Sequence, residues 1–210
     1  MSLVETEVAK KLIDIKAIKV QPDAPFTWAS GWKSPIYCDN RKILSYPETR
    51  TFVRDRFVDI IKSKYPQAEV IAGVATGAIA MGAMVAEVLG LPFIYIRSAP
   101  KGHGLENLIE GVMHEGQKVV VVEDLISTGG SSLNAAEAVV KAGGNVLGMV
   151  AIFTYGFPHA IENFAKAGIE LTTLSNYHAL IDSAVAMNEV NAGQVETLMK
   201  WRENPAEWGK

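Results

Sequence analysis

Glu123 and Asp124 stand side by side, after the four valines Val119 to Val122 and before Ser127-Thr128-Gly129-Gly130-Ser131-Ser132. Adjacent carboxylates repel anions and suit vicinal hydroxyls, such as those of a ribose. The Ser, Thr and Gly residues that follow suit the opposite kind of ligand. Glycine lets backbone N–H groups approach a phosphate without a Cβ in the way, and hydroxyls add donors. A helix N-terminus supplies further free N–H groups. Together the two halves describe a grip for a ribose 5-phosphate. The elements that must position them are legible on either side. Four β-branched residues in a row predict a strand buried on both faces of a parallel sheet and ending at the carboxylates. An Ala-rich pattern predicts a helix from about Ser132 to Ala142. Ligands of open parallel sheets bind at the carboxyl ends of strands. The plain structural alternative is a strand, turn and helix in which Asp and Ser serve only as N-caps. A Walker loop is excluded, because no Gly-x-x-x-x-Gly-Lys-Ser/Thr occurs.

Between Ile96 and Lys118 the apolar periodicity disappears, and the segment begins Arg97-Ser98-Ala99-Pro100-Lys101-Gly102-His103-Gly104. A patternless stretch of about twenty residues inside a compact domain usually marks a functional lid or disorder. Basic residues interleaved with glycine suit an arm that closes over an anion. Arg97 can bind phosphate through two hydrogen bonds, and Lys101 is a movable point charge. His103 titrates near neutrality and is able to move a proton. A lone Lys or Arg is usually a solvated surface charge, and Arg97, directly after a strand, can also serve as a structural ion-pair partner. His114, His159 and His178 have no partner pattern and read as ordinary surface or core residues. No cluster with metal-ligand spacing occurs, so no protein metal site is expected.

The run of valines, Glu-Asp and then Ser-Thr-Gly-Gly-Ser resembles the signature of the type I phosphoribosyltransferases. Lys101-Gly102-His103-Gly104, preceded by Arg97, resembles the catalytic loop of the orotate phosphoribosyltransferases. Phe26-Thr27-Trp28-Ala29-Ser30-Gly31-Trp32-Lys33-Ser34-Pro35-Ile36-Tyr37-Cys38-Asp39-Asn40-Arg41 is similar to that subfamily's hood. The likeness runs from about residue 10 to 175. It implies transfer of the phosphoribosyl group from phosphoribosyl pyrophosphate to orotate, giving orotidine 5′-monophosphate and pyrophosphate in pyrimidine synthesis. It implies Lys101 and His103 as catalytic residues. Phosphoribosyl pyrophosphate would be bound by Arg97, Lys101, His103, Glu123, Asp124, Leu125, Ile126, Ser127, Thr128, Gly129, Gly130 and Ser131. Ser127 matches an orotate-contacting position. Mg²⁺ would be held mainly through phosphoribosyl pyrophosphate. A homodimer is implied, with each arm reaching into the neighbouring site.

The chain departs from this pattern in three places. Ser98 stands where many members carry a second basic residue. Ala75-Thr76-Gly77 replaces a stretch that often holds a lysine, so the backbone N–H groups of Ala75 to Ala78 are expected to bind pyrophosphate instead. Phe153-Thr154-Tyr155-Gly156-Phe157 lacks an arginine that often meets orotate, leaving Lys33, Arg41 and Ser127 as candidates for its carboxylate. A sibling enzyme acting on a purine base would lack the Lys-Gly-His-Gly loop and the hood. A regulator using the same fold as a sensor would add a nucleic-acid-binding element, and nothing here resembles a helix-turn-helix.

At 210 residues the chain fits one domain with a sizeable core. Its net charge of −3 opposes nucleic-acid binding, which needs a basic patch. The single cysteine, Cys38, excludes an internal disulfide and fits a reducing cytosol. No leader and no apolar run of membrane-spanning length appear, so a cytoplasmic protein is expected. Ser2-x-x-Glu5 predicts a capped helix carrying Val4, Val8, Leu12, Ile15 and Ile18, broken at Pro22 to Pro25. Phe26 to Trp28, a turn at Ser30-Gly31, and Ile36 to Cys38 predict a strand, turn and strand. A second helix starts at Ser45, Pro47 and Glu48. Strands are expected at Val70–Val74, Phe93–Ile96, Val119–Val122, Val146–Phe153 and Glu170–Leu174, with helices between them and terminal helices ending around Trp201. This alternation predicts an α/β fold, a mainly parallel twisted sheet flanked by helices, with a small N-terminal hood. The hood would span about 1–45, the core about 46–175 and the C-terminal helices 176–210, all in a single domain. The N-terminal helix and hairpin are expected to cap the ligand edge of the sheet.

Overall fold

In the structure, a computed structural model that describes residues 2–28, 31–99 and 108–208, Ser2 caps the first helix as its spacing predicts. Its side chain accepts the Glu5 N–H, and the Glu5 carboxylate returns to the Ser2 N–H. This helix, α1 (Leu3–Asp14), stops earlier than the apolar spacing implies. Lys16 takes a left-handed conformation at φ 55°, and Ile18 opens a strand, β1 (Ile18–Val20). Burial explains the change, because Ile18 is 1 % exposed and pairs with Cys38. The hood pairing also differs from expectation. β2 (Phe26–Thr27) pairs with β3 (Lys33–Ser34), while β4 (Ile36–Cys38) turns back to pair with β1. Pro35 separates β3 from β4 and has no N–H for a ladder. The Ser34 hydroxyl fixes that corner by donating to the Ile36 carbonyl at 2.7 Å and accepting the Ile36 N–H at 3.1 Å.

A short 3-10 helix (Asn40–Ser45) leads into α2 (Pro47–Lys64), whose first position is the proline expected there. The chain then alternates through β5 (Val70–Val74), α3 (Ile79–Leu89), β6 (Phe93–Ile96) and the short β7 (Ile109–Glu110). It continues through β8 (Lys118–Ile126), α4 (Gly130–Lys141), β9 (Asn145–Thr154), α5 (Pro158–Ala167) and β10 (Leu171–Asn176). It ends with α6 (Tyr177–Ala186) and α7 (Val195–Glu203). Six strands form one sheet in the order β10-β9-β8-β5-β6-β7, parallel except for β7. Val119 to Val122 at its centre are all 0 % exposed. Burying each such side chain contributes roughly 1.5–3 kcal/mol.

The strand order sets where a ligand can sit. From β5 the chain winds through β6 toward one edge, and from β8 it winds through β9 and β10 toward the other. Right-handed crossovers in opposite directions place their helices on opposite faces, leaving a crevice between the carboxyl ends of β5 and β8. α1 does not cap that crevice. It packs on α6 and β10, where the Ser175 hydroxyl donates to the Glu5 carbonyl at 2.8 Å. No described helix is long and apolar enough to cross a membrane.

Candidate active site

The crevice holds a cavity of about 410 Å³ between the carboxyl ends of β5, β6 and β8. β8 runs past the two carboxylates instead of ending at them, because Leu125 and Ile126 still pair with Phe153 and Thr154 of β9. Consecutive strand residues point to opposite faces, and the two acids accordingly have different neighbours. Glu123 turns inward: its carboxylate accepts the Ser132 hydroxyl of α4 at 2.8 Å and the Asp124 N–H at 2.8 Å. Burial, and secondarily the Asp124 charge, push the Glu123 carboxyl up to about 8. Asp124 is half-buried and lies over Gly77 at the start of the turn into α3, so closely that a Cβ on Gly77 would collide with its carboxylate. Both acids border the cavity.

The Ser/Thr/Gly run curls from β8 into α4 at the same cavity. Leu125, Ser127, Thr128, Gly129 and Ser131 line it. Gly129 is the N-cap of α4 at φ 81°, and a Cβ there would press on the Phe164 ring at 3.0 Å. Only glycine takes that conformation easily in so little space. Ile126 is fully buried within β8 and, like Gly130, is not among the lining residues.

On the opposite wall stand Val74 to Gly77, Arg97 and Ser98. The Ala75 N–H is already given to Ile96 and the Ala78 N–H to Val74, at 2.8 and 3.0 Å. Of the four N–H groups expected to face an anion, only those of Thr76 and Gly77 remain for one. Arg97 is both a cavity residue and an ion-pair partner, with its guanidinium 3.5 Å from Glu110 of β7. The Arg97 N–H also meets the Leu108 carbonyl at 2.8 Å, and both residues line the cavity. Lys101 and His103 lie outside the described residues. Among the described residues, no three His, Cys, Asp or Glu side chains gather as a metal would need. His114, His159 and His178 are exposed.

One connection absent from the sequence reading ties the hood to this site directly, and α7 ties the hood to the turn after β9. Asn40, 3 % exposed, donates to the Asp124 carbonyl at 2.6 Å and accepts the Cys38 thiol at 3.4 Å. The Cys38 thiol is pushed well up, first by burial and then by the charges of Asp124 and Asp39. Trp201 of α7, 0 % exposed, donates to the Lys33 carbonyl at 3.1 Å. Arg202 donates to the carbonyls of Tyr155 and Gly156 at 3.1 and 2.8 Å, on the very turn whose own sequence holds no cation. Asn40 had a signal in its place beside the hood's acidic and basic residues, whereas Arg202 had none. Of the other carboxylate candidates, Lys33 is bonded to Thr27 and Arg41 to Asp39. Neither lines the cavity.

A family model described as the phosphoribosyl transferase domain matches residues 43–162. An orotate phosphoribosyltransferase of Phocaeicola vulgatus is 60 % identical over 99 % of this chain and 98 % of its own length. The chain belongs to the orotate phosphoribosyltransferases. A second member, from Porphyromonas gingivalis, is 57 % identical over 96 % of both chains. The solved orotate phosphoribosyltransferase of Aeropyrum pernix superposes with a TM-score of 0.75 at 28 % identity, covering 83 % of this chain and 96 % of that one. The family's type I fold is therefore the mostly parallel, helix-flanked sheet described above. Its shared domain begins within the 3-10 helix before α2 and ends in α5. The ribose-phosphate turn and Arg97 lie inside these limits, while most of the hood and α7 lie outside.

Proposed function

We propose that this enzyme transfers the phosphoribosyl group of phosphoribosyl pyrophosphate to N1 of orotate, as a step of pyrimidine nucleotide synthesis. The bond from C1′ to pyrophosphate breaks with its electron pair leaving on the pyrophosphate oxygen. The bond from orotate N1 to C1′ forms as N1 gives up its proton, which the departing pyrophosphate can accept. The observation that carries this reading is one cavity bringing together Asp124, the Ser127–Ser131 turn and Arg97 at the carboxyl ends of β5, β6 and β8. The turn and the α4 N-terminus suit the 5′-phosphate, and the Asp124 carboxylate suits the ribose diol, with Glu123 behind it. Arg97 and the Thr76 and Gly77 N–H groups face the departing pyrophosphate. Donors fixed where charge develops stabilise the transition state without reorganisation. Lys101 and His103 add catalytic donors from the arm, and Ser127 touches the base.

Among the described residues no third acid joins Glu123 and Asp124, a donor set that suits a hard cation arriving with the substrate. Mg²⁺ supplies neutralisation of pyrophosphate charge when bound. The whole chain acts as a single phosphoribosyltransferase domain. It works as a cytoplasmic homodimer with shared active sites, without nucleic acid or membrane. The part-exposed apolar face of α3 at Ala83, Met84 and Val88 supports pairing with a second copy. Loss of orotate absorbance in the presence of phosphoribosyl pyrophosphate and Mg²⁺ tests the reaction, with uracil, hypoxanthine and adenine as competing bases. Consumption of orotate alone is expected. Preference for a purine, or tight phosphoribosyl pyrophosphate binding without any turnover, overturns it.

A further inference from the structure

α7 joins two parts of the molecule that are far apart in sequence, the hood and the turn that follows β9. On the hood side, the Trp201 indole N–H holds the Lys33 carbonyl at the end of the β2–β3 hairpin. The Trp201 ring sits among Trp28, Tyr155, Phe157 and Tyr177, with centroids 5.5 to 5.7 Å away. On the core side, Arg202 clamps the two carbonyls of the Tyr155–Gly156 turn. That turn is fastened to the strand end from which Ser127 departs, because the Tyr155 N–H and the Thr154 hydroxyl both donate to the Ile126 carbonyl, at 3.2 and 3.3 Å. Tyr155 and Trp28 complete the bridge at 5.3 Å.

We infer that Arg202 is a positioning residue for the base end of the active site, fixing the Tyr155–Gly156 turn against the hood so that the acceptor base finds a gap of set width. The inference rests on the proposed reaction, in which the base reaches C1′ beside Ser127, the residue that follows the strand end to which this turn is bonded. Arg202 suits this role better than an apolar residue would. Its planar guanidinium donates to two successive carbonyls at once, and charged donors make the stronger hydrogen bonds. The ribose-phosphate grip is built from β8 and α4 and meets α7 only indirectly, through the Tyr155–Gly156 turn and the Ile126 carbonyl. Loosening Arg202 therefore acts on one substrate and spares the other.

The test compares the parent enzyme with Arg202→Ala, Arg202→Lys and Trp201→Phe, which removes the N–H that reaches Lys33 together with part of the buried indole ring. Orotate KM, phosphoribosyl pyrophosphate Kd by calorimetry, and thermal midpoints are read for each. Arg202→Ala is expected to raise orotate KM about tenfold or more and to leave phosphoribosyl pyrophosphate Kd within about twofold. Arg202→Lys recovers part of the loss, because one donor still reaches the turn. Trp201→Phe shifts orotate KM in the same direction. An unchanged orotate KM, or a parallel loss of affinity for both substrates, overturns the inference. Should Arg202→Ala fail to fold, Trp201→Phe decides alone, and an unchanged orotate KM there has the same force. A parent enzyme that does not consume orotate removes the underlying reaction and this inference together. An active parent with unaffected variants removes only the inference.

Discussion

Glu123 shows how much a single side chain in this site depends on its surroundings. Its carboxyl rises from an ordinary value of 4.5 to about 8 because it is buried at the foot of the cavity beside the Asp124 charge. In the unliganded protein the folded state therefore keeps a proton that the unfolded chain gives up. Stability is linked to the difference in bound protons between the two states. Glu123 thus favours folding fully below about pH 4.5, and this contribution is lost as the pH climbs toward 8. Glutamine at position 123 keeps the shape and the bond to Ser132 but has no proton to lose. Between pH 5 and 9 the urea midpoint of Glu123→Gln should fall less steeply than that of the parent, and above pH 8 the variant should be the more stable. Two parallel curves would mean that the Glu123 proton does not differ between folded and unfolded states.

At the scale of elements, the turn from β5 into α3 lies directly against the acidic end of β8, and Gly77 is where they touch. An alanine there must push the Asp124 carboxylate out of its place, since so short a side chain has little room to swing. Gly77→Ala is expected to weaken phosphoribosyl pyrophosphate binding about tenfold or more while the protein still folds; calorimetric titration measures it, and unaltered affinity would show that the Asp124 position is immaterial. The sequence made the turn visible as a run of small residues, but not its contact with Asp124. Elements buried on both faces were the most legible, because β5 and the valines of β8 have only one way to satisfy such composition. The hood was less so. Its strands are two or three residues long, and their pairing follows from Pro35 and from the burial of Ile18 and Ile36 rather than from alternation. That Asp124 and the Ser127–Ser131 turn share one cavity was legible because these residues are nearly contiguous and chemically opposed. The Arg202 clamp was not, since 47 residues separate Arg202 from Tyr155 and neither end carries a local signature.

For the molecule as a whole, the decisive question is whose arm serves which cavity. Arg97 and Leu108 meet at the rim of one cavity, and the proposed dimer would hold two such cavities. If the arm works in its partner's site, Lys101 of one subunit acts with Asp124 of the other. Lys101→Ala and Asp124→Asn should each be nearly inactive alone, for different reasons. Mixed and allowed to exchange subunits, they form hybrid dimers in which an intact Asp124 meets an intact Lys101 at one of the two sites. Random pairing of symmetric dimers makes about half of them hybrid, so activity should return to about a quarter of the parent's. An arm that serves its own subunit leaves every site in the mixture with one defect, and no activity returns. Sedimentation of the mixture under assay conditions separates that outcome from a failure to pair: dimers without recovered turnover would show that each subunit closes its own cavity.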